Sequence, residues 1–190
     1  MTARALIIAA PNSGAGKTTV TLGLLAALKR RGIAVKAAKA GPDYIDSAFH
    51  AAATGTQGFN LDTWAMPPSL VDALVAESAC DCQLLVIEGV MGLFDGVPGP
   101  SGGTGAAADL AARFAVPVIM VLDVRAQAQS AAHEPLRDIG EISHRHVEHD
   151  RLPGSRERSP IESLVVRAVA RGKDQRSVHA AKRRRDGGRG

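Results

Sequence analysis

ALIIAAPNSGAGKTTV, residues 5–20, joins an apolar run to a glycine-rich turn and the start of a helical pattern. Ala5–Ala10 is continuously apolar and ends at Pro11, as expected of a strand buried on both faces. Thr18–Arg31 places Val20, Leu24, Leu25 and Leu28 at helical spacing, with Lys29-Arg30-Arg31 in the last turn and Gly32 to close it. Working outward, Ile33–Ala38, Leu84–Ile87 and Val116–Leu122 predict further short strands. Helices are predicted through Val71, Leu74 and Val75, with Ser69 as the cap, and over Thr104–Phe114. Nearly apolar strands alternating with helices predict an α/β fold, a parallel sheet covered by helices on both faces. In such sheets the ligand sits beyond the carboxyl ends of the strands.

The rest of the chain is of a different kind. Residues 1–132 hold nine Lys/Arg against ten Asp/Glu, a net of −1, whereas residues 133–190 hold fourteen against nine, a net of +5. All six aromatics (Tyr44, Phe49, Phe59, Trp64, Phe94, Phe114) fall in the first part, so the second lacks the large side chains that fill cores. The division expected is an organised domain over 1–132 and an unpatterned, basic, disordered tail over 133–190. Ile161–Ala170 is the tail's one substantial apolar run, enough for a single short helix but not for a core. No apolar run approaches the ~20 residues a spanning helix needs, Met1–Arg4 does not lead into an export signal, and two cysteines make no disulfide framework. No membrane association and a cytoplasmic location are the expectations. The basic run Lys182–Arg185 attracts anions without specificity, and no base-reading motif accompanies it, so no specific nucleic acid is expected.

Three segments at strand ends carry chemistry. In Pro11–Thr18 and at Thr19 beside it, the backbone N–H groups of Ser13, Gly14, Ala15, Gly16, Lys17, Thr18 and Thr19 can wrap a polyphosphate at a helix N-terminus. Lys17 would reach the β- and γ-phosphates and the Thr18 hydroxyl would bind Mg²⁺. Pro11 stands where the usual motif has its first glycine, and the bland alternative is an empty strand-to-helix turn. Next, in Gly41-Pro42-Asp43-Tyr44-Ile45-Asp46 two carboxylates three residues apart hold Mg²⁺ or shape a polar substrate site, or else one of them caps a helix. Finally, Glu88-Gly89-Val90-Met91-Gly92-Leu93-Phe94-Asp95-Gly96 leaves the Leu84–Ile87 strand. A carboxylate there can orient water or hold a metal, or simply be a solvated strand-end acid. Cys80-Asp81-Cys82 lacks the second ligand pair of a zinc site. Asp123 is either a nucleotide-facing acid or a turn acid, and His144, Arg145, His146 and His149 lie in unpatterned sequence.

Taken together, Ile8–Leu25 (IAAPNSGAGKTTVTLGLL), Lys39–His50 (KAGPDYIDSAFH), Asn60–Trp64 (NLDTW), Ile87–Gly96 (IEGVMGLFDG) and Asp109–Ser130 (DLAARFAVPVIMVLDVRAQAQS) resemble the cobyrinic/hydrogenobyrinic acid a,c-diamide synthases. These are glutamine-dependent amidoligases of corrinoid (vitamin B12) biosynthesis. The phosphate loop alone also fits dethiobiotin synthetases and partition-type ATPases, but the latter carry a signature lysine where this chain has Asn12. The resemblance implies a P-loop NTPase-like, dethiobiotin synthetase-like ATP domain that is incomplete. In that family ATP phosphorylates substrate carboxylates and ammonia converts each acyl phosphate to an amide. It implies ATP and Mg²⁺ as cofactors, with Lys17 on phosphate, Thr18, Asp46 and Glu88 on the metal, and Asp43, Asp46 and Glu88 as catalytic or substrate-site carboxylates. The partners implied are a cobyrinic or hydrogenobyrinic acid substrate, an ammonia-supplying glutaminase, and a second copy of the chain in a homodimer.

After Ala132 the family pattern stops, so a truncated chain with an unrelated tail and no glutaminase domain is expected. Cys80 and Cys82 precede the third strand, at the end away from the phosphate loop, and offer no nucleophile for glutamine. Whether the chain catalyses ligation or only binds nucleotide stays open at this level. Limited trypsin digestion is expected to cut first between about Arg137 and Arg158, where basic residues meet Gly/Pro punctuation. A protected fragment spanning those sites would contradict an unstructured tail.

Overall fold

A computed structural model describes residues 4–123 and the strand Val166–Arg171. The elements in chain order are β1 (Arg4–Ala9), α1 (Lys17–Arg30), β2 (Val35–Ala40), α2 (Tyr44–Thr54), β3 (Asn60–Leu61), α3 (Pro68–Ser78), β4 (Leu84–Glu88), α4 (Ala107–Phe114), β5 (Val118–Asp123) and β6 (Val166–Arg171). The strands pair in the order β3-β2-β4-β1-β5-β6, all parallel. β1 therefore lies inside the sheet, with Ile7 opposite Ile87 on one side and Val118 on the other.

Alternation along these strands divides the core into two layers. Ile7, Leu85, Ile87, Val118 and Met120 meet Val71 and Val75 of α3 and Leu110 of α4. Ile8, Val86 and Val121 point the other way, onto Leu25 of α1. Both faces are covered, so apolar residues at consecutive positions are the pattern that fits.

The expected α/β fold, a parallel sheet flanked by helices, is present, with differences in detail. The second strand is shifted to Val35–Ala40. The helix after Met66 starts at Pro68 with Pro67 in the capping position and no side-chain cap, so Ser69 does not cap it. A proline at the first helical position has no N–H to satisfy, which removes part of the need for one. The helix expected from Thr104 begins at Ala107, because the Thr104 N–H and hydroxyl are drawn to Asp109 Oδ2 at 2.7 and 2.9 Å.

Val166–Arg171 is a strand, not part of the short helix expected over Ile161–Ala170. It pairs with β5 from Val118↔Val166 to Asp123↔Arg171, so this side of β5 is not an open edge. The physical reason is the unpaired N–H and C=O row of β5, met by a valine-containing segment of matching length. The basic run Lys182–Arg185, His144, Arg145, His146, His149 and the segment between Arg137 and Arg158 lie outside the described residues. No helix among the described residues is long and apolar enough to cross a membrane.

Ile87 is fully buried at the middle of this packing. Ile87→Ala is expected to lower the unfolding free energy by about 2–5 kcal/mol in urea denaturation. A loss under about 1 kcal/mol would contradict close packing at the sheet centre.

Candidate functional site

The turn from β1 to α1 is shaped by two glycines in the left-handed region, Gly14 (φ 81°) and Gly16 (φ 95°). Gly16 occupies the capping position of α1 and no side chain caps the helix, which leaves its first-turn N–H groups open to a ligand. The loop Glu88–Gly96 docks on this turn. Leu93 N–H donates to the Ala10 carbonyl at 2.9 Å, and Gly92 N–H donates to Asp95 Oδ2 at 2.7 Å. A Cβ at Gly92 would collide with the Pro11 carbonyl oxygen, so only glycine permits this approach. The Lys17 ammonium bridges the two segments, donating to the carbonyl of Asn12 at 3.1 Å and to that of Met91. Burial lowers the Lys17 pKa, with the nearby Lys39 charge acting the same way against Glu88, Asp95 and Asp46.

At the end of β4 the Glu88 side chain is fully buried, and three different elements supply its donors. The Thr18 hydroxyl donates to Oε1 at 2.6 Å, Lys39 Nζ to Oε1 at 3.1 Å, and His50 Nε2 faces Oε2 at 2.7 Å. Lys39 Nζ also contacts Asp46 Oδ2 at 2.6 Å, so its ammonium bridges the two carboxylates. Asp46 Oδ2 in turn lies 3.5 Å from the Thr18 hydroxyl. Burial by itself would raise the Glu88 pKa. The hydrogen bonds from His50 and Thr18 and the Lys39 charge overcome it and hold the carboxyl at about 2.

These groups open onto a cleft of about 450 Å³ at the carboxyl end of the sheet, lined by Ser13, Gly14, Gly16, Lys17, Thr18 and Thr19, with Asp43, Asp46 and Glu88 across from them. The structure thus brings together nearly all the residues singled out from sequence. The Ala15 side chain is turned into the core. Asp43 is in part the cap that the bland reading allowed, its Oδ1 accepting from Ile45 N at 2.9 Å and Asp46 N at 3.3 Å. Asp123 ends β5 and does not line the cleft. Cys80 and Cys82 are free thiols that do not line it either.

Lys39 and His50 were missed. Lys39 is buried in a strand whose other inward residues are alanines and valine, and a lysine in such a run needs a carboxylate partner. That signal was available. The NLDTW and DLAARF segments serve a separate latch. Asp109 Oδ2 accepts from Thr63 Oγ1 at 3.0 Å as well as from Thr104, and Asp62 Oδ1 caps the turn at Trp64 and Ala65.

Among the described residues no three His, Cys, Asp or Glu side chains gather into a protein-only metal site. One hydroxyl and two carboxylates beside a phosphate loop make instead the open oxygen set that Mg²⁺ shares with phosphates. The ammonium now lying between Asp46 and Glu88 indicates how strongly that pair calls for a cation.

Fold and site define a nucleotide-binding domain of the P-loop kind, built on a parallel sheet. The chain belongs to the CobQ/CobB/MinD/ParA nucleotide binding domain family, whose profile matches residues 6–139. It is 60% identical over 132 residues to hydrogenobyrinate a,c-diamide synthase of Mesorhizobium japonicum, covering 70% of this chain and 30% of that protein. The enzyme of the same name from Agrobacterium fabrum is 58% identical over 132 residues, with the same coverage. That from Rhodobacter capsulatus is 55% identical over 130 residues, 68% of this chain and 30% of the relative. The chain therefore spans about 30% of the length of these curated relatives.

Because the Glu88 pKa is depressed from 4.5 to about 2 on folding, its contribution to stability is complete above pH 4.5 and is lost as pH falls toward 2. Glu88→Gln is expected to flatten the loss of stability across that window, measured as urea midpoints at a series of pH values. An acid limb unchanged in the variant would contradict the hydrogen-bonded, ionised Glu88.

Proposed function

We propose that the chain is the ATP-binding portion of an amidoligase that phosphorylates the a and c carboxylates of hydrogenobyrinic or cobyrinic acid for amidation. The observation that carries this reading is the convergence of Lys17, Thr18, Lys39, Asp46 and Glu88 on one cleft at the phosphate loop. The relatives' names supply the substrate class.

A carboxylate is a poor electrophile until its oxygen is phosphorylated. Attack by that oxygen on the γ-phosphorus of ATP yields an acyl phosphate and ADP, and ammonia then displaces phosphate to leave the amide. The open N–H groups of the Gly14–Thr19 turn hold the phosphates in line for this transfer. Lys17 leaves the Asn12 and Met91 carbonyls for the β- and γ-phosphates, and Lys39 brings a second positive charge to the opposite wall. Thr18, Asp46 and Glu88 would hold Mg²⁺. Bound there, the ion would supply neutralisation of phosphate charge. Asp43 lines the cleft at the N-terminal cap of α2 and is assigned to the substrate side. Ammonia is assigned to a glutaminase site outside this cleft, which neither described cysteine reaches. A homodimer remains compatible with this reading, which places the chain in the cytoplasm with its ATP.

Incubation with ATP, Mg²⁺, hydrogenobyrinic acid and an ammonium salt is expected to give acid-dependent ADP and amidated corrinoid. Lys17→Ala is expected to weaken ATP binding at least tenfold, about 1.4 kcal/mol, in calorimetry. ATP binding without acid-dependent ADP would favour a non-catalytic nucleotide-binding module. Equal affinity in wild type and variant would overturn the phosphate-loop assignment.

A further inference from the structure

Helix α2 is built with its polarity reversed. Tyr44, Ile45 and Phe49 are exposed, whereas His50 and Thr54 are buried and Asp46 turns inward to Lys39. Asp46, His50 and Thr54 are spaced four residues apart and so share one helix face. That face is tied to the end of β4 by His50 Nε2 on Glu88 Oε2 at 2.7 Å, while the Thr54 hydroxyl turns back within the helix onto the His50 carbonyl at 2.9 Å.

The imidazole is 1% exposed, and its other nitrogen, Nδ1, has no hydrogen-bond partner among the described residues. Facing a carboxylate, Nε2 is the donor, and Nδ1 is left buried and unmatched. Leaving a polar atom unmatched costs stability, and an aliphatic side chain of similar size would avoid that cost. Packing therefore does not account for a histidine here, whereas the hydrogen bond to Glu88 does.

We infer that His50 is a positioning residue: it holds Glu88 Oε2 so that Oε1 is presented to the Thr18 side of the cleft, and it fixes Asp46 of the same helix face beside it. The inference rests on the proposed reading of Thr18, Asp46 and Glu88 as the Mg²⁺ site, and it assigns to His50 the task of setting their mutual geometry. His50 touches neither Thr18 nor the phosphate turn in any described hydrogen bond, so it acts through Glu88. The hydrogen bond is specific in reach. A glutamine amide can place its nitrogen near the Nε2 position, whereas an asparagine amide falls short of it.

The test is calorimetric titration of ATP into wild type, His50→Leu, His50→Gln and His50→Asn, each with excess Mg²⁺ and again with EDTA, alongside thermal melting midpoints. His50→Leu is expected to weaken binding of ATP with Mg²⁺ by about tenfold, as loss of an orienting partner behind a ligand typically does, with little change in EDTA. His50→Gln is expected to restore most of the Mg²⁺-dependent gain and His50→Asn little of it, whatever the order of their melting midpoints. Should the leucine variant not fold, the glutamine–asparagine comparison decides. Equal weakening with and without Mg²⁺, or a glutamine variant no better than asparagine, would overturn the inference and leave only a structural role. A wild type that binds ATP equally well with Mg²⁺ and with EDTA would overturn the metal-site reading along with it. Variants that match a Mg²⁺-dependent wild type would overturn the inference alone.

Discussion

A fully buried carboxylate at a strand end must be met by donors on every side, or folding would protonate it or fail. Glu88 is met by a hydroxyl from α1, an ammonium from β2 and an imidazole from α2. Each donor sits at the carboxyl end of the sheet, so satisfying one charge brings the phosphate turn, the second strand and the second helix into register. Breaking any one contact leaves the charge less compensated in a low-dielectric setting, where that loss is large. The arrangement that stabilises Glu88 is also the arrangement that lines the cleft.

The same constraint explains α2. A helix against a sheet ordinarily turns apolar residues inward, but α2 borders a polar cluster and turns Asp46, His50 and Thr54 inward instead. Its apolar residues Tyr44, Ile45 and Phe49 are left outside. The Glu88–Gly96 loop shows the complementary demand. Gly92 lets it close on Pro11, and Met91 takes a left-handed φ of 44°, its carbonyl receiving Lys17. Backbone held in that region by a non-glycine residue is a common mark of a functional loop.

The sheet was legible in the sequence because both of its faces are covered, which makes β1, β4 and β5 apolar at every position but one terminal residue. The phosphate loop was legible for a different reason: its glycines and Gly-Lys-Thr sit where a strand must turn into a helix. Helix α2 was not, since its apolar residues Ile45 and Phe49 face outward and do not mark the buried side. Ser69 misled because a polar residue near a helix start suggests a cap, while the adjacent Pro67-Pro68 already sets the turn. Lys39 was readable in principle, as a charge amid buried neighbours, but its partner, Glu88, lies 49 residues away. His50 gave no such sign, because one histidine in an alanine-rich helix reads the same whether it faces water or a carboxylate. β6 escaped because a short alternating segment declares itself only when an edge is present to receive it.

Crystallisation with a non-hydrolysable ATP analogue and Mn²⁺ in place of Mg²⁺ tests the central claim most directly, because the manganese anomalous signal locates the cation independently of the rest of the map. The account places that signal within about 2.0–2.3 Å of the Thr18 hydroxyl and of an oxygen of Asp46 or Glu88, or one bound water beyond the carboxylate. Lys39 Nζ should then be withdrawn from its bridge between the two carboxylates, and His50 Nε2 should still be on Glu88 Oε2. A cation bound elsewhere, with Lys39 still bridging Asp46 and Glu88 beside an occupied phosphate loop, would contradict it.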